Sequence, residues 1–140
     1  MIYPIFVYGT LRSEASYHHL ISKWIITIKK AYTKGSLYHY AIDDEFGWYP
    51  YLTEGDDVVC GELISFTDID RVLSITDDFE DNGIVFQRIV HPVFDEENTM
   101  YNAWVYFIIK GFEKKEKYIK DGDWIKEVRN GNYLFHKGYP

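Results

Sequence analysis

Strand-like segments follow one another along this chain with few helices between them. Ile5–Tyr8, Lys30–Tyr40, Val58–Phe66, Val85–Phe94 and Tyr101–Ile109 are rich in aromatic and β-branched residues, which suit a pleated surface. Two or three intervals read as helices. Ser13–Trp24 can be capped by Ser13 or Ser16, and Thr67–Phe79 by Thr67 or Asp68, with Asp70 well placed in its first turn. The charged stretch Glu113–Lys120 reads as a solvated helix face. A doubly wound parallel sheet would need a helix after most strands, so the expected fold is α+β, with a small barrel as one form of it.

The 140 residues suit a single domain, residues 1–140, large enough to bury a core. Asp43–Gly55, with Gly47, Pro50, Gly55 and several acids, reads as a long surface loop. The formal net charge of −7 argues against a nucleic-acid partner. The longest strongly apolar run, Ala103 to Ile109, is too short for a membrane helix, so no membrane partner is expected. Met1 leads straight into a strand pattern without a basic region and a long apolar stretch, which predicts a cytoplasmic protein. Cys60 is the only cysteine, which excludes an intramolecular disulfide and a CxxC site. Thirteen Tyr, nine Phe and four Trp favour an aromatic-walled pocket.

Two features carry candidate chemistry. On a helical wheel Ile69, Val72, Leu73 and Thr76 share one face, and Glu80 falls in the middle of it. A carboxylate at the end of an apolar face is desolvated, which raises its pKa toward the range of a general base. The other possibility is that the helix ends at Phe79 and Glu80 faces water. In Phe6-Val7-Tyr8-Gly9-Thr10-Leu11-Arg12, a strand turning through glycine can expose consecutive N–H groups to an anion or a developing oxyanion. A plain strand-to-helix turn would look the same. His18 and His19 are adjacent and cannot chelate one ion together, and the acids at Asp43–Glu45 and Glu54–Asp57 lack EF-hand spacing. No metal site is expected.

These pieces, in this order, resemble the γ-glutamylcyclotransferase-like family. The loop FVYGTLR, Gly35-Ser36-Leu37-Tyr38 followed by Tyr49-Pro50, Val59-Cys60-Gly61-Glu62-Leu63, and Asp77-Asp78-Phe79-Glu80 are similar to successive motifs of that family. So are Ala103-Trp104-Val105-Tyr106 and Gly122-Asp123-Trp124. The chain departs from the pattern at Asp81, where Gly is frequent, at Phe86, where Tyr is frequent, and at Tyr17, which stands before His18-His19 in place of Asn.

The resemblance implies a mixed, barrel-like sheet with a few flanking helices and a cofactor-independent enzyme. It would close a small γ-glutamyl amine or peptide to 5-oxoproline, releasing the amine. Glu80 would be the acid/base, Tyr8, Gly9, Thr10 and Leu11 the substrate-binding loop, and Arg88 and Tyr106 further pocket residues. Arg88 could equally pair with Asp77 or Asp78. Two other readings stay open on the same site: γ-glutamyl removal in a specialised biosynthetic pathway, and a non-catalytic small-molecule binding module.

Overall fold

A computed structural model of the chain describes residues 2–43, 47–113 and 117–129. Strand β1 (Ile5–Val7) has three residues, all buried, and lies between two neighbours. It pairs antiparallel with β3 (Gly47–Phe66) and parallel with β5 (Met100–Ile108). β5 pairs with β4 (Phe86–Asp95), β4 with β2 (Ile25–Asp43), and β2 with β3, all antiparallel. The circuit therefore closes into a five-stranded mixed barrel, which protects the strand edges that an open sheet would expose. A short β6 (Lys117–Tyr118) adds to the distal part of β2. Two helices complete the α+β fold: α1 (Ile69–Phe79) and the short α2 (Trp124–Glu127).

The period-two alternation of β1 divides the core. Phe6 and Tyr8 join Leu52, Val105 and Trp124 in one buried cluster, whereas Ile5 and Val7 join Leu11, Ile64 and Val72 of α1 in a second. No helix among the described residues is long and apolar enough to cross a membrane.

Three expectations are corrected. Ser13–Trp24 is not an α-helix but a series of turns with two short 3-10 segments, His18–Leu20 and Ser22–Trp24. Its bonds run from residue i to i−3, as from Leu20 to Tyr17 and from Ile21 to His18, and the N–H and hydroxyl of Ser13 are both committed to Glu62. The Asp43–Gly55 stretch is largely strand, with Asp43 closing β2 and Gly47–Gly55 continuing β3; residues 44–46 lie outside the described ones. Buried Tyr51 and Leu52 outweigh the turn-forming Gly and Pro there. Finally, Lys117–Tyr118 forms strand β6 rather than a helix face, and residues 114–116 lie outside the described ones.

The β2–β3 hairpin changes register where Gly35 pairs with Asp57 but Ser36 pairs with Thr53, leaving three extra residues on β3. Such bulges bend a strand. Gly35 suits the crowded corner, since a Cβ there would lie 2.7 Å from Leu52 Cδ1 and 3.0 Å from Thr53 O. Beyond the bulge the hairpin carries Tyr49 and Pro50, both of which line the cavity described next.

Candidate active site

The loop after β1 is held at both ends by residues distant in sequence. At its start, the buried Tyr8 hydroxyl donates to the Tyr106 carbonyl at 2.7 Å. Gly9 then passes so close to the hairpin that a Cβ would sit 2.4 Å from Pro50 Cγ and 2.9 Å from Cδ. Close approach, not a left-handed backbone, is what requires glycine here. The Arg12 N–H donates to the Gly9 carbonyl at 3.0 Å and closes a turn over Thr10 and Leu11. Among the described residues, the N–H groups of Gly9, Thr10 and Leu11 donate to no other backbone group. A run of such donors beside a cavity is suited to anionic oxygen.

The loop's exit is fixed by two of the later motifs. Glu62 on β3 accepts from the Ser13 N–H at 2.6 Å and from its hydroxyl at 2.5 Å. Buried Arg12 donates to Asp123 at 3.0 Å, and the same carboxylate caps α2 by accepting from the Lys126 N–H at 3.1 Å. Gly61, beside Glu62, leaves room for β1, because a Cβ there would lie 2.3 Å from Val7 O. The Gly-Glu-Leu and Gly-Asp-Trp segments thus support the loop mechanically.

Helix α1 supplies the carboxylate. Asp68 caps it by accepting from the Arg71 N–H at 3.3 Å, and Val72 and Thr76 are buried. Glu80 ends the helix, its N–H donating to the Thr76 carbonyl at 2.8 Å. Its side chain faces the cavity, partly open to the mouth yet closely surrounded. Burial, with a smaller contribution from the charge of Asp81, pushes its pKa to about 8. Asp81 follows in a left-handed conformation, φ 51°, which aspartate tolerates better than most non-glycine residues.

The cavity holds about 420 Å³. Phe6 through Leu11 form one side, with Glu80, Asp81 and Tyr106 beside them. An aromatic wall completes it: Tyr17 packs on Phe79 with ring centres 5.1 Å apart, and Tyr49 meets Phe86 edge-on at 5.9 Å. The sequence-predicted residues Tyr8, Gly9, Thr10, Leu11, Glu80 and Tyr106 therefore all border one space. Tyr17, Phe79 and Phe86 are wall residues that the sequence patterns do not single out as such. Tyr17 and Phe86 do carry a signal, since both are departures from the family pattern.

Arg88 stands elsewhere. It does not line the cavity but grips Asp77 with two bonds, Nε to Oδ1 at 2.8 Å and NH2 to Oδ2 at 2.9 Å, while stacking 4.1 Å over the Trp104 ring. Of its two expected roles, the pairing with Asp77 is the one observed. Tyr106 completes this network by donating to Asp77 at 2.5 Å and sharing a 2.7 Å bond with the Thr76 hydroxyl. Burial of Asp77 works to raise its pKa, but the bonds from Arg88 and Tyr106 outweigh that and leave it lowered. Burial first, then the bond to Asp77, raises the Tyr106 phenol, which stays neutral. Asp77→Ala should cost about 1.5–3 kcal/mol, the range for hydrogen bonds to charged groups, read as a shift in urea midpoint at pH 7. The difference from wild type should shrink as pH falls below 3.8 through the lowered folded-state pKa, where Asp77 protonates in the wild type as well.

The closed α+β barrel thus carries a cavity bordered by one desolvated carboxylate and by the loop after β1. Residues 5–126 match the sequence profile described as γ-glutamyl cyclotransferase, AIG2-like, and the chain belongs to that family. Membership supports a cyclotransferase-type function and a small-molecule substrate. The fold is also that of several solved structures. An AIG2-like protein from Mus musculus is 23% identical, with 87% of each chain covered and a TM-score of 0.65. YkqA from Bacillus subtilis is 23% identical, at a TM-score of 0.65, over 93% of this chain but only 42% of its own. The present chain thus spans about two fifths of that protein's length. An uncharacterised protein from Pyrococcus horikoshii is 16% identical over 96% of this chain and 100% of its own, with a TM-score of 0.62. No curated protein sequence matches.

Proposed function

We propose that the protein is a γ-glutamyl cyclotransferase that converts a γ-glutamyl amine or peptide to 5-oxoproline and the free amine, with residues 1–140 acting as one domain. The observation that carries this reading is the pairing of Glu80, with its pKa near 8, and the uncommitted N–H groups of Gly9 to Leu11 on one cavity. A γ-glutamyl compound contains its own nucleophile. Folding the chain back brings the α-amino nitrogen to the γ-carbonyl carbon, and holding that conformer replaces a bimolecular encounter.

Glu80 takes a proton from the α-ammonium, and the freed nitrogen attacks the γ-carbonyl to form a tetrahedral centre. The developing oxyanion draws on loop N–H groups, and donors fixed in place need no reorganisation at that moment. The C–N bond to the leaving amine then breaks as Glu80 returns its proton to that nitrogen, and the second proton still on the ring nitrogen passes to the released amine, which departs as its ammonium form. One amide is exchanged for another, so no water, redox partner or metal enters the balance. Neutral Tyr106 and Tyr8 keep the floor of the site polar without adding charge.

A binding module would not need a desolvated base, so Glu80 also argues against the non-catalytic alternative. The test is incubation of the purified protein with a panel of γ-glutamyl amides, following 5-oxoproline and the released amine in equal amounts. Turnover should be unaffected by EDTA. Failure of every member to yield 5-oxoproline would overturn the reading.

A further inference from the structure

Glu80 stands at the end of a helix whose last turn the apolar core does not hold, since none of residues 77–85 is fully buried. Hydrogen bonds fix that turn instead. With Asp81 left-handed at φ 51°, the Asn82 N–H donates to the Asp77 carbonyl at 2.8 Å and the Asp81 N–H to the Asp78 carbonyl at 3.3 Å. This pair of reversed bonds closes the helix in the Schellman manner. The Asn82 side chain then reaches across, its oxygen accepting from the Arg88 N–H in β4 at 2.8 Å. Arg88 therefore grips the end of α1 twice, by its guanidinium on Asp77 and by its backbone through Asn82. Asn82 itself does not line the cavity.

Resting on the cyclotransferase reading above, we propose that Asn82 is a positioning residue: by tying the end of α1 to the backbone of β4, it holds Glu80 in place beside the loop after β1. A base must meet the substrate proton at hydrogen-bond distance, so a small displacement of its backbone is felt in the rate. Asn82 fastens the chain two residues beyond Glu80, just past the left-handed residue that reverses it. Without that bond the turn would fray toward the water that already surrounds Asp81, Gly83 and Ile84. Besides Glu80, the described lining holds one carboxylate, Asp81, and four phenols, Tyr8, Tyr17, Tyr49 and Tyr106, with no Lys, Arg or His. Just outside it, Asp77 and Arg88 hold each other. Replacing Asn82 by an uncharged residue alters none of these groups, so a change in the titration of Glu80 would report its placement.

The experiment follows 5-oxoproline formation by the full chain from a γ-glutamyl amide that the wild type accepts, and compares Asn82→Ala with Asn82→Asp. Alanine removes the acceptor for the Arg88 N–H, whereas aspartate keeps an oxygen in nearly the same place. Asn82→Ala should lower kcat about 10- to 100-fold and leave KM within about twofold, because the bond lost lies outside the cavity. Its kcat/KM limb should also move down from about 8, since burial is the larger cause of the raised Glu80 pKa and a loosened helix end admits water. Asn82→Asp should restore most of kcat, read on the plateau above the limb, where the added charge no longer affects the ionisation of Glu80. Asn82→Gln sets the same amide one methylene further out; it is the milder displacement and should show the alanine changes at smaller size even if alanine prevents folding. A residue with only a structural role would lower Tm and leave kcat and the limb of the folded variants unchanged. That result, or an aspartate variant no better than alanine, would overturn this inference while leaving the cyclotransferase reading intact. A wild type that forms no 5-oxoproline from any γ-glutamyl amide would remove that reading and the inference with it.

Discussion

Glu80→Gln is expected to lower kcat by about 10²–10⁴ and, at the same time, to make the protein more resistant to heat at alkaline pH. Both effects follow from one cause. The glutamine keeps the shape and much of the hydrogen-bonding capacity but cannot take the ammonium proton. The stability effect needs its sign worked out. Glu80 titrates near 4.5 when unfolded and near 8 when folded. Below pH 4.5 both states hold the proton and burial costs nothing extra. As pH rises from there toward 8, the folded state keeps a proton that the unfolded chain has released, so stability falls. The variant has no such titration, so its Tm advantage should open across that interval and level off above it.

The same pKa predicts the rate profile. The base must be ionised to act, so kcat/KM for wild type should rise with pH through about 8, well above the ordinary carboxylate range. Asp81→Asn should move that limb slightly downward, because burial is the larger cause of the shift and the charge of Asp81 the smaller. A Glu80→Gln protein that turned over at the wild-type rate would place the base elsewhere. Asp77 is a poor substitute, since its oxygens are engaged by Arg88 and Tyr106 and its pKa is lowered.

Local patterns make much of this site readable in the sequence. The 3.6-residue spacing of Val72, Thr76 and Glu80 puts the carboxylate on the buried face, because each neighbour on that face lies within a turn or two. The glycine after β1 marks the loop for the same reason. What the chain does not reveal locally is pairing across it. That β1 lies between β3 and β5, closing the barrel, depends on contacts some sixty and one hundred residues away, such as Ile5 with Ile64 and with Trp104. The hairpin is hidden for a related reason. Gly47, Pro50 and Gly55 are turn formers in isolation, but opposite β2 the aromatic and aliphatic residues between them find partners and a core. The Ser13–Trp24 region misleads in the other direction. Its apolar residues suggest a helix, yet Glu62 and Thr10 claim backbone and hydroxyl groups that a helix would have used. The departures Tyr17, Asp81 and Phe86 all fall on the cavity lining.

Gly9→Ala should already be damaging, and Gly9→Val more so, although neither would require a forbidden backbone angle. The added Cβ would lie 2.4 Å from Pro50 Cγ, well inside van der Waals contact, and a proline ring has little freedom to yield. Either the loop moves away from the hairpin or the hairpin moves with Pro50, and overpacking of this kind typically costs about 1–3 kcal/mol. Either displacement also moves a wall of the cavity: the N–H groups of the loop, or the Tyr49 side. Turnover should therefore fall by about 10²-fold or more, since small misplacements at a site of this type carry such costs. A second substitution separates packing from chemistry. Pro50→Ala removes Cγ and Cδ and leaves only Cβ, 3.8 Å from where the methyl group of an alanine at position 9 would stand. The double variant Gly9→Ala, Pro50→Ala should recover stability relative to Gly9→Ala alone, giving a coupling of about 0.5–3 kcal/mol in a denaturation cycle. Activity should recover with it only as far as the loop regains its position. A Gly9→Ala protein with wild-type stability and turnover would mean that the loop does not rest on Pro50 as described. Recovery of stability without any recovery of 5-oxoproline formation would locate the requirement at the Gly9 backbone itself, beside the N–H donors of the loop.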